Sequence, residues 1–313
     1  MLAFVAKRVL ATIPVMGVVA LFVFLILHLS PGDPATVIAG DYASPSDVER
    51  IRAKLGLDQP IVVQFGKWIW SLLQGDLGVS IFSDLPVAKL IGQRIEPTLM
   101  LSLTTVIFTV IVAVPLGVIA AWKAGSWIDR GIMIFAVAGF SIPVFVLGYM
   151  LIYEFSLDLG WFPVQGYKSP FDGIGPFLRH ITLPTLTLSV IYIALIARIT
   201  RASVLEILGE DYIRTARAKG QTETKVLISH ALKNAAVPIV TVIGLGVALL
   251  IGGVVVTESV YNVPGLGRLV VDAILKRDYP IIQGLILMFS FVYILINLVI
   301  DIVYTLVDPR IRY

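Results

Sequence analysis

The sequence predicts an all-α membrane protein with about six transmembrane helices. Of its 313 residues, 58% are apolar and only 14% are charged, whereas soluble domains average about 25% charged residues. The mean hydropathy of the chain is +0.92. A helix that crosses a bilayer needs roughly 20 predominantly apolar residues. Six stretches without Asp, Glu, Lys or Arg approach this length: Val9–Leu29, Thr98–Trp122, Gly131–Tyr153, Ile181–Ala197, Ala235–Thr257 and Tyr279–Ile300.

The composition excludes several kinds of site. The chain has no cysteine, so disulfides, thiolate metal sites and cysteine nucleophiles are excluded. Its net charge of +3 comes from scattered residues, whereas nucleic-acid binding needs basic residues clustered on one face. The histidines lie far apart in sequence, and we expect surface or interfacial imidazoles and no metal site: His28, His180 and His230.

The first stretch has two interpretations. Lys7 and Arg8 precede it, as basic residues precede the apolar part of a secretory signal peptide. The apolar run is too long for a signal peptide, however, and no small-residue cleavage site follows it. We therefore expect a retained N-terminal transmembrane helix within residues 1–30.

The fourth stretch is the shortest of the six. It can extend to Ser203 if Arg198 and Arg201 lie at the membrane surface. Long basic side chains can bury their apolar stems while the charge stays in water.

Lysine and arginine counts predict that both termini are cytoplasmic, because these residues are in excess in cytoplasmic loops. With the N-terminus inside, 13 of them fall in inside segments and 11 in outside segments. Six of the 11 lie between Ser30 and Pro97, a long segment whose translocation depends little on charge. Without that long segment, 13 Lys and Arg residues lie inside and five lie outside.

Small and kinking residues recur in these stretches. Proline removes a backbone donor and kinks or breaks a helix. Kinked helices suit a transport pathway that changes conformation, but proline is also frequent in membrane helices generally. The internal prolines are Pro14, Pro115, Pro143, Pro184 and Pro238.

The fifth stretch contains small residues at four-residue spacing, which let another helix approach closely. We expect such a packing face at Gly244, Ala248 and Gly252.

Two segments outside the six stretches contain helix signals. We expect residues 31–97 to form an extracytoplasmic loop region with short helices. One is predicted at Ser44–Gly56, and the aromatic stretch Phe65–Leu73 follows it. A serine followed by proline is typical of a helix start. The other segment, residues 198–234, is the longest predicted cytoplasmic loop.

The cytoplasmic loop predicts a helix, a turn and a second helix. Val204, Leu208 and Tyr212 recur at intervals of four, and Ile228 and Leu232 repeat this spacing with Ala231 beside them, as on one face of a helix. Gly220 is a typical helix stop. Thr222 is a predicted cap of the next helix, with Glu223 in its first turn.

The exposed part of this loop allows two interpretations. Small residues, Ala216 and Ala218, alternate with Arg214, Arg217 and Lys219. Such an element can fit into a groove of a soluble partner. Alternatively, it can lie on anionic lipid headgroups, which basic amphipathic segments also favour.

Several segments together resemble one family. Glu210–Gly220 and Ser229–Pro238 resemble the EAA loop of bacterial ABC importer permeases, in the form typical of the dipeptide, oligopeptide and nickel family. Residues 31–34, 75–78, 263–267 and 308–313 are similar to further segments of that family. The resemblance implies a type I ABC importer permease fold with a core permease domain over residues 98–313.

The resemblance also implies a site that contacts an ATPase subunit. Its residues are Glu210, Asp211, Arg214, Thr215, Ala216, Arg217, Ala218, Lys219 and Gly220. The general pattern begins Glu-Ala-Ala, where this chain has Arg214, Thr215 and Ala216. A role of that glutamate therefore does not transfer, although Glu210 or Asp211 could replace it.

The chain contains no G-x-x-x-x-G-K-[ST] phosphate-binding loop. The resemblance therefore implies that ATP and Mg²⁺ bind to partner subunits and that this chain binds no cofactor. The implied partners are two ATPases, a second related permease and an external solute-binding protein in a bacterial inner membrane. Short peptides are the expected solute, with glutathione or nickel chelates as alternatives.

Ionisable residues within membrane segments are candidates for a solute path. Glu154 and Glu258 follow predicted spans, and Asn297 and Asp301 lie near the end of the last one. We expect each either on the path or as an ordinary interfacial charge. An ion-coupled secondary transporter is the main alternative, but such proteins carry charges near the bilayer midplane and internal repeats, which we do not find. A membrane scaffold stays open, and no motif of a membrane enzyme is present.

Overall fold

The computed structural model describes residues 2–29, 34–39, 44–54 and 56–307. The motif residues 31–33 and 308–313 lie outside this part. The described residues form 13 α-helices: α1 Leu2–Leu29, α2 Pro34–Ala39, α3 Pro45–Lys54, α4 Ile61–Leu73, α5 Val87–Trp122, α6 Trp127–Ser141, α7 Val144–Ile152, α8 Ile174–Leu208, α9 Asp211–Ala218, α10 Glu223–Lys225, α11 Ala236–Val260, α12 Leu266–Lys276 and α13 Tyr279–Val307. Two π-helical segments, Tyr153–Asp158 and Val226–Leu232, extend α7 and α10.

The prediction of about six membrane helices is confirmed. Within the described residues, five helices are long and apolar enough to cross a membrane: α1, α5, α8, α11 and α13. The third stretch, Gly131–Tyr153, is not one straight helix, because α6 and α7 meet at an angle of 101°. Ile142 between them is extended, with φ −89° and ψ 121°, as the residue before a proline prefers.

The remaining prolines have different effects. Pro14, Pro115 and Pro184 lie inside helices, as predicted. Pro238 is the third residue of α11. In the first turn of a helix its missing N–H has no helical partner to lose, so Pro238 does not kink that helix.

Two helices begin earlier than the apolar stretches that predicted them. Helix α5 starts at Val87 and not at Thr98, and α8 runs over 35 residues from Ile174 to Leu208. Charged residues end an apolar stretch, but they do not end a helix. The added first turns of α5 contain Lys89, Arg94 and Glu96.

The chain divides into two compact units. The first comprises Met1–Ile95 and Leu269–Leu295, and the second comprises Glu96–Arg268 and Ile296–Tyr313. The sequence predicted different boundaries, at residues 30 and 97, because it separated an extracytoplasmic loop region from the membrane helices. That division stays a prediction.

In the first unit, α1 packs against α4 and the first half of α13. Ala20 and Val23 are buried with Leu287, and Trp68 and Leu72 pack against them. Polar contacts extend this packing. His28 Nε2 lies 3.0 Å from Gln64 Oε1.

The short helices of the first unit follow the sequence signals. The backbone N–H of Asp47 donates to Ser44 Oγ at 3.2 Å, so Ser44 caps α3 as expected. The pKa of the Asp47 carboxyl is lowered, mainly because it accepts a hydrogen bond from the Ser44 hydroxyl.

Helix α8 is at the centre of the second unit. Glycines on three neighbouring helices face it, and small residues permit such close approach in membranes. A Cβ on Gly117 of α5 would lie 2.6 Å from Thr200 Cβ, and one on Gly253 of α11 would lie 2.7 Å from Leu188 Cδ1. A Cβ on Gly139 of α6 would lie 3.0 Å from Val190 Cγ1. These three contacts leave no space for a larger residue.

The packing face expected at Gly244, Ala248 and Gly252 is not uniform. A Cβ on Gly244 would lie 2.6 Å from Ile300 Cδ1 of α13. Near Gly252, no described side chain lies within 4 Å of such a Cβ. The position of closest approach to α8 is instead the adjacent Gly253.

A buried ion pair joins α6 to α8. Asp129 is 4% exposed, and its two carboxylate oxygens accept bonds from Nε and Nη2 of Arg201 at 2.5 and 2.7 Å. The N–H of Gly125 also donates to this carboxylate, at 2.9 Å. Helix α8 extends past Ser203, as expected, and the position of Arg198 and Arg201 at the membrane surface stays a prediction.

The adjacent glycines of α11 offer a matched test of this packing. We expect Gly253→Val to destabilise the chain by about 1–3 kcal/mol, because it forces a side chain into a filled space. Gly252→Val should be nearly neutral. Thermal unfolding in detergent, followed by loss of the monomeric peak in size-exclusion chromatography, measures both. Equal melting temperatures for the two variants would contradict the packing described.

Candidate functional site

The loop between α8 and α11 presents α9 as a separate short helix. Helix α8 ends at Leu208, and α9 starts at Asp211. The predicted apolar face is therefore wrong at its last member, since Tyr212 lies on a different helix and is 42% exposed. Partial burial, with a contribution from the Glu210 carboxylate, raises the pKa of the Tyr212 phenol.

Helix α9 is attached through one face. Ile213 is fully buried, and α9 contacts the π-helical segment Val226–Leu232. The predicted ATPase-contact residues lie together around the other faces of α9 and at its ends. Ala216 is half-buried, and the others are exposed: Glu210, Asp211, Arg214, Thr215, Arg217, Ala218, Lys219 and Gly220.

Gly220 ends α9 as predicted. Its φ is +76°, a left-handed conformation that glycine adopts without steric cost. The N–H of Gly220 donates to Arg217 O at 2.9 Å, and the N–H of Gln221 donates to Ala216 O at 3.2 Å. This pair of bonds is the Schellman motif, and it gives the turn a defined direction.

Side-chain bonds hold the turn against the next helix. Arg217 donates to both carboxylate oxygens of Glu223, at 2.8 and 3.2 Å. His230 Nε2 lies 2.9 Å from Gln221 Oε1. Thr222 occupies the predicted cap position, but its side chain makes no capping bond. The bonds of Arg217 and Gln221 connect the two sides of the turn instead.

The predicted apolar face of the second helix of the loop is confirmed at Ala231 and Leu232 but is wrong at Ile228. Ile228 is 58% exposed, whereas Val226 and Ala231 are fully buried. Val226–Leu232 is a π-helix, in which hydrogen bonds join residues five apart. Val226 and Ala231 have this separation and share one face. The spacing of four used for the prediction applies only to an α-helix.

Charges in this segment balance. Between residues 210 and 223, the cations Arg214, Arg217 and Lys219 match three anions in number. One exposed pair, Arg214 and Asp211, has an N–O distance of 3.2 Å. Exposed pairs contribute little stability, typically about 0–1 kcal/mol. The surface of α9 is therefore polar and close to neutral overall.

Of the four candidates for a solute path, Glu258 is completely buried. Thr98 Oγ1 donates to its Oε1 at 2.5 Å, and the backbone N–H of Arg268 donates to its Oε2 at 3.0 Å. The same threonine oxygen accepts from Leu266 N at 2.8 Å. Glu258 and Thr98 thus bind backbone N–H groups at the first turn of α12.

Glycine is required beside this carboxylate. A Cβ on Gly265 would overlap the carboxylate of Glu258, and one on Gly267 would lie 2.5 Å from Val255 Cα. The Val-Pro-Gly-Leu-Gly segment, residues 263–267, is therefore shaped around Glu258. The sequence analysis singled out residues 263–267 only through the family resemblance, so it did not predict that this segment contacts Glu258.

The other three candidates lie elsewhere. Glu154 is exposed in the π-helical segment after α7. Asn297 is exposed and Asp301 is half-buried, one turn apart on α13. Their place on a solute path stays a prediction.

Considering ionisable residues alone missed a group of buried hydroxyls. Thr104 Oγ1 on α5 lies 2.9 Å from Thr185 Oγ1 on α8. Nearby on the same helices, the hydroxyls of Thr105, Thr109 and Ser189 are buried and make no hydrogen bond within the described part of the chain. Threonine and serine are common in helices of every kind, so their position in the sequence gave no signal.

Comparisons with known proteins agree with this architecture. The sequence profile of the binding-protein-dependent transport system inner membrane component matches residues 113–313. A second profile, for the N-terminal part of the membrane component of these systems, matches residues 1–104. Together the two profiles cover most of the chain.

Two relatives align over nearly their whole length. "Probable peptide ABC transporter permease protein y4tP" of Sinorhizobium fredii is 55% identical, with 99% of both chains covered. "Glutathione transport system permease protein GsiC" of Escherichia coli is 48% identical, with 100% of both covered.

Solved structures show the same fold. Two inward-facing structures of the MetNI methionine ABC transporter each contain a chain similar to this one, with TM-scores of 0.57 and 0.59 at 19% identity. The matches cover 70% and 71% of this chain and 96% and 97% of the other. The type I importer permease fold expected from the resemblance is thereby confirmed, and the chain belongs to the family of inner membrane components of binding-protein-dependent transport systems.

Proposed function

We propose that this permease carries short peptides across the membrane and that α9 is the contact through which separate ATPase subunits drive it. The supporting observation is the geometry of α9. One buried side chain, Ile213, anchors it, the Gly220 turn fixes its end, and the predicted contact residues remain exposed. A partner that moves α9 would therefore move an ordered element.

The charge of α9 supports a protein partner over a lipid surface. A helix that binds anionic headgroups carries excess Lys and Arg opposite a broad apolar face. The segment between residues 210 and 223 has equal numbers of cations and anions. Its apolar anchor Ile213 is buried within the chain, so it is not available to lipid.

The proposed assembly contains a second permease, two ATPases that bind ATP and Mg²⁺, and an external solute-binding protein. Both termini and α9 lie on the cytoplasmic side, and the segment 31–97 lies outside. The Lys and Arg distribution supports this orientation. The names of the relatives support a peptide solute, since glutathione is itself a tripeptide.

A charge placed on α9 tests the coupling role. Ala218 is exposed, so Ala218→Glu should change stability by no more than about 0.5 kcal/mol. We expect normal membrane insertion, at least tenfold slower uptake and poor co-purification of ATPase subunits. Ala88→Glu, at an exposed position in the first turn of α5, is the matched control. Normal uptake by the Ala218→Glu variant would show that α9 does not couple transport.

Uptake assays test the solute. Cells without this chain should lose uptake of radiolabelled alanyl-phenylalanine, and the wild-type gene should restore it. Labelled glutathione and a nickel chelate, measured in parallel, separate the alternative solutes. Unchanged dipeptide uptake would argue against a peptide permease. Solute accumulation by the purified chain alone, driven by a proton or sodium gradient, would support a secondary transporter instead.

We further propose that Glu258 supports α12 and does not contact the solute. Glu258→Gln replaces a hydrogen-bond acceptor with a donor beside a backbone N–H, and loss of a buried bond of this kind costs about 1–3 kcal/mol. We expect a lower melting temperature together with slower uptake. Glu154→Gln, at an exposed glutamate, should keep the wild-type melting temperature. Slow uptake by Glu258→Gln at an unchanged melting temperature would instead place Glu258 on the solute path.

A further inference from the structure

A cavity of about 280 Å³ lies within the first unit. It is lined by the end of α1, residues 56–59, α4, residues 76–81 and the start of α13. Its volume is near the lower limit of small-molecule sites, about 300–1,000 Å³. No part of α9 or of the Glu258 site contributes to it, so the proposed transport role does not explain it.

The lining carries one charge of each sign. Lys67 of α4 and Asp76 line the cavity with exposed side chains. The other lining residues are uncharged. Oδ1 of Asp76 accepts from the N–H of Gly78 at 2.8 Å, which leaves the second carboxylate oxygen for another donor. A neutral molecule with separate positive and negative groups would match this lining better than a simple cation or anion, because opposite charges attract at short range.

One side-chain amide oxygen in the lining has no hydrogen-bond donor. Oε1 of Gln59 is buried, yet it accepts no hydrogen bond from any residue that the structure describes. The neighbouring amides are engaged: Gln64 donates to Gln59 O at 2.7 Å, and Gln283 donates to Val23 O at 3.2 Å. Buried acceptors are normally satisfied. The oxygen of Gln59 is therefore a buried acceptor that no described donor satisfies.

Aromatic side chains form the apolar part of the lining. Phe24 and Trp68 line the cavity, with ring centroids 5.6 Å apart. Tyr279 lines it as well. Aromatic rings provide large apolar contact area, and their faces attract ammonium groups.

We propose that this cavity binds a zwitterion that has a primary ammonium, an anionic group and an apolar portion. The ammonium donates to Asp76 and, once the Gln59 side chain turns its buried oxygen toward the cavity, to Gln59 Oε1. The anionic group binds Lys67. The apolar portion packs on Phe24 and Trp68. Two sources offer this chemistry, a free short peptide and the headgroup of an aminophospholipid. The inference does not depend on the proposed function.

Native mass spectrometry of the full-length chain, released from detergent, tests the site. The probes are alanyl-phenylalanine and dihexanoyl phosphatidylethanolamine. Matched controls are the N-acetylated dipeptide and dihexanoyl phosphatidylcholine, neither of which has a primary ammonium. The wild-type chain should retain one molecule of at least one probe and little of the corresponding control.

Variants then locate the binding. Lys67→Gln and Gln59→Leu should each weaken binding about tenfold, as expected for loss of a hydrogen bond to a charged group. Lys89→Gln should bind normally, since Lys89 is an exposed lysine of α5 that does not line the cavity. The elution volume of each variant checks that it folds.

The outcomes are distinct. Retention of the phospholipid alone identifies a membrane lipid as the source, and retention of the dipeptide alone identifies a free peptide. If both bind, competition between them confirms one shared cavity. The proposal is overturned if neither probe binds, if the controls bind equally well, or if Lys67→Gln and Gln59→Leu bind like the wild type. Because transport is not measured, these results do not depend on the assignment of α9.

Discussion

The second unit depends on the close approach of three helices to α8. In a bilayer the lipid tails are as apolar as the side chains, so burial from water does not drive helices together. Association then depends on van der Waals contact, which requires closely fitting surfaces. Gly117, Gly139 and Gly253 provide such surfaces at positions where a Cβ would meet α8 at 3.0 Å or less. The ion pair of Asp129 and Arg201 adds a directional contact to this packing.

The short helix α9, unlike the helices around α8, is held mainly by hydrogen bonds between residues close in sequence. Its helix stop, its ion pair to Glu223 and the contact of Gln221 with His230 all lie within residues 211–230. Ile213 gives it an anchor in the protein. An element of this kind can transmit a displacement while its own geometry stays fixed. A contact site made of disordered chain would instead have to become ordered each time, at a cost in conformational entropy.

The sequence was most informative where one physical rule dominated. Length and apolarity located the membrane helices, and Gly220 and Ser44 marked a helix end and a helix start because each signal acts locally. A kink or break was expected at every internal proline, and it is sharp at Pro143. Which prolines bend a helix sharply was not predicted, since neighbouring helices decide whether a proline is accommodated. The exposure of Ile228 was not predicted, because no residue signals that Val226–Leu232 is π-helical. Thr98, the side-chain partner of Glu258, and Asp129, the partner of Arg201, lie 160 and 72 residues away along the chain, so no local pattern could identify them.

The angle between α6 and α7 has a consequence for what surrounds the chain. The last carbonyls of α6 and the first N–H groups of α7 have no partners within their own helices. Ser141, Ile142 and Pro143 are exposed on this chain taken alone. Hydrocarbon tails cannot solvate free backbone groups, whether the pair crosses the membrane or turns back within it. This corner must therefore face water or another polypeptide, and not the hydrocarbon tails of the bilayer.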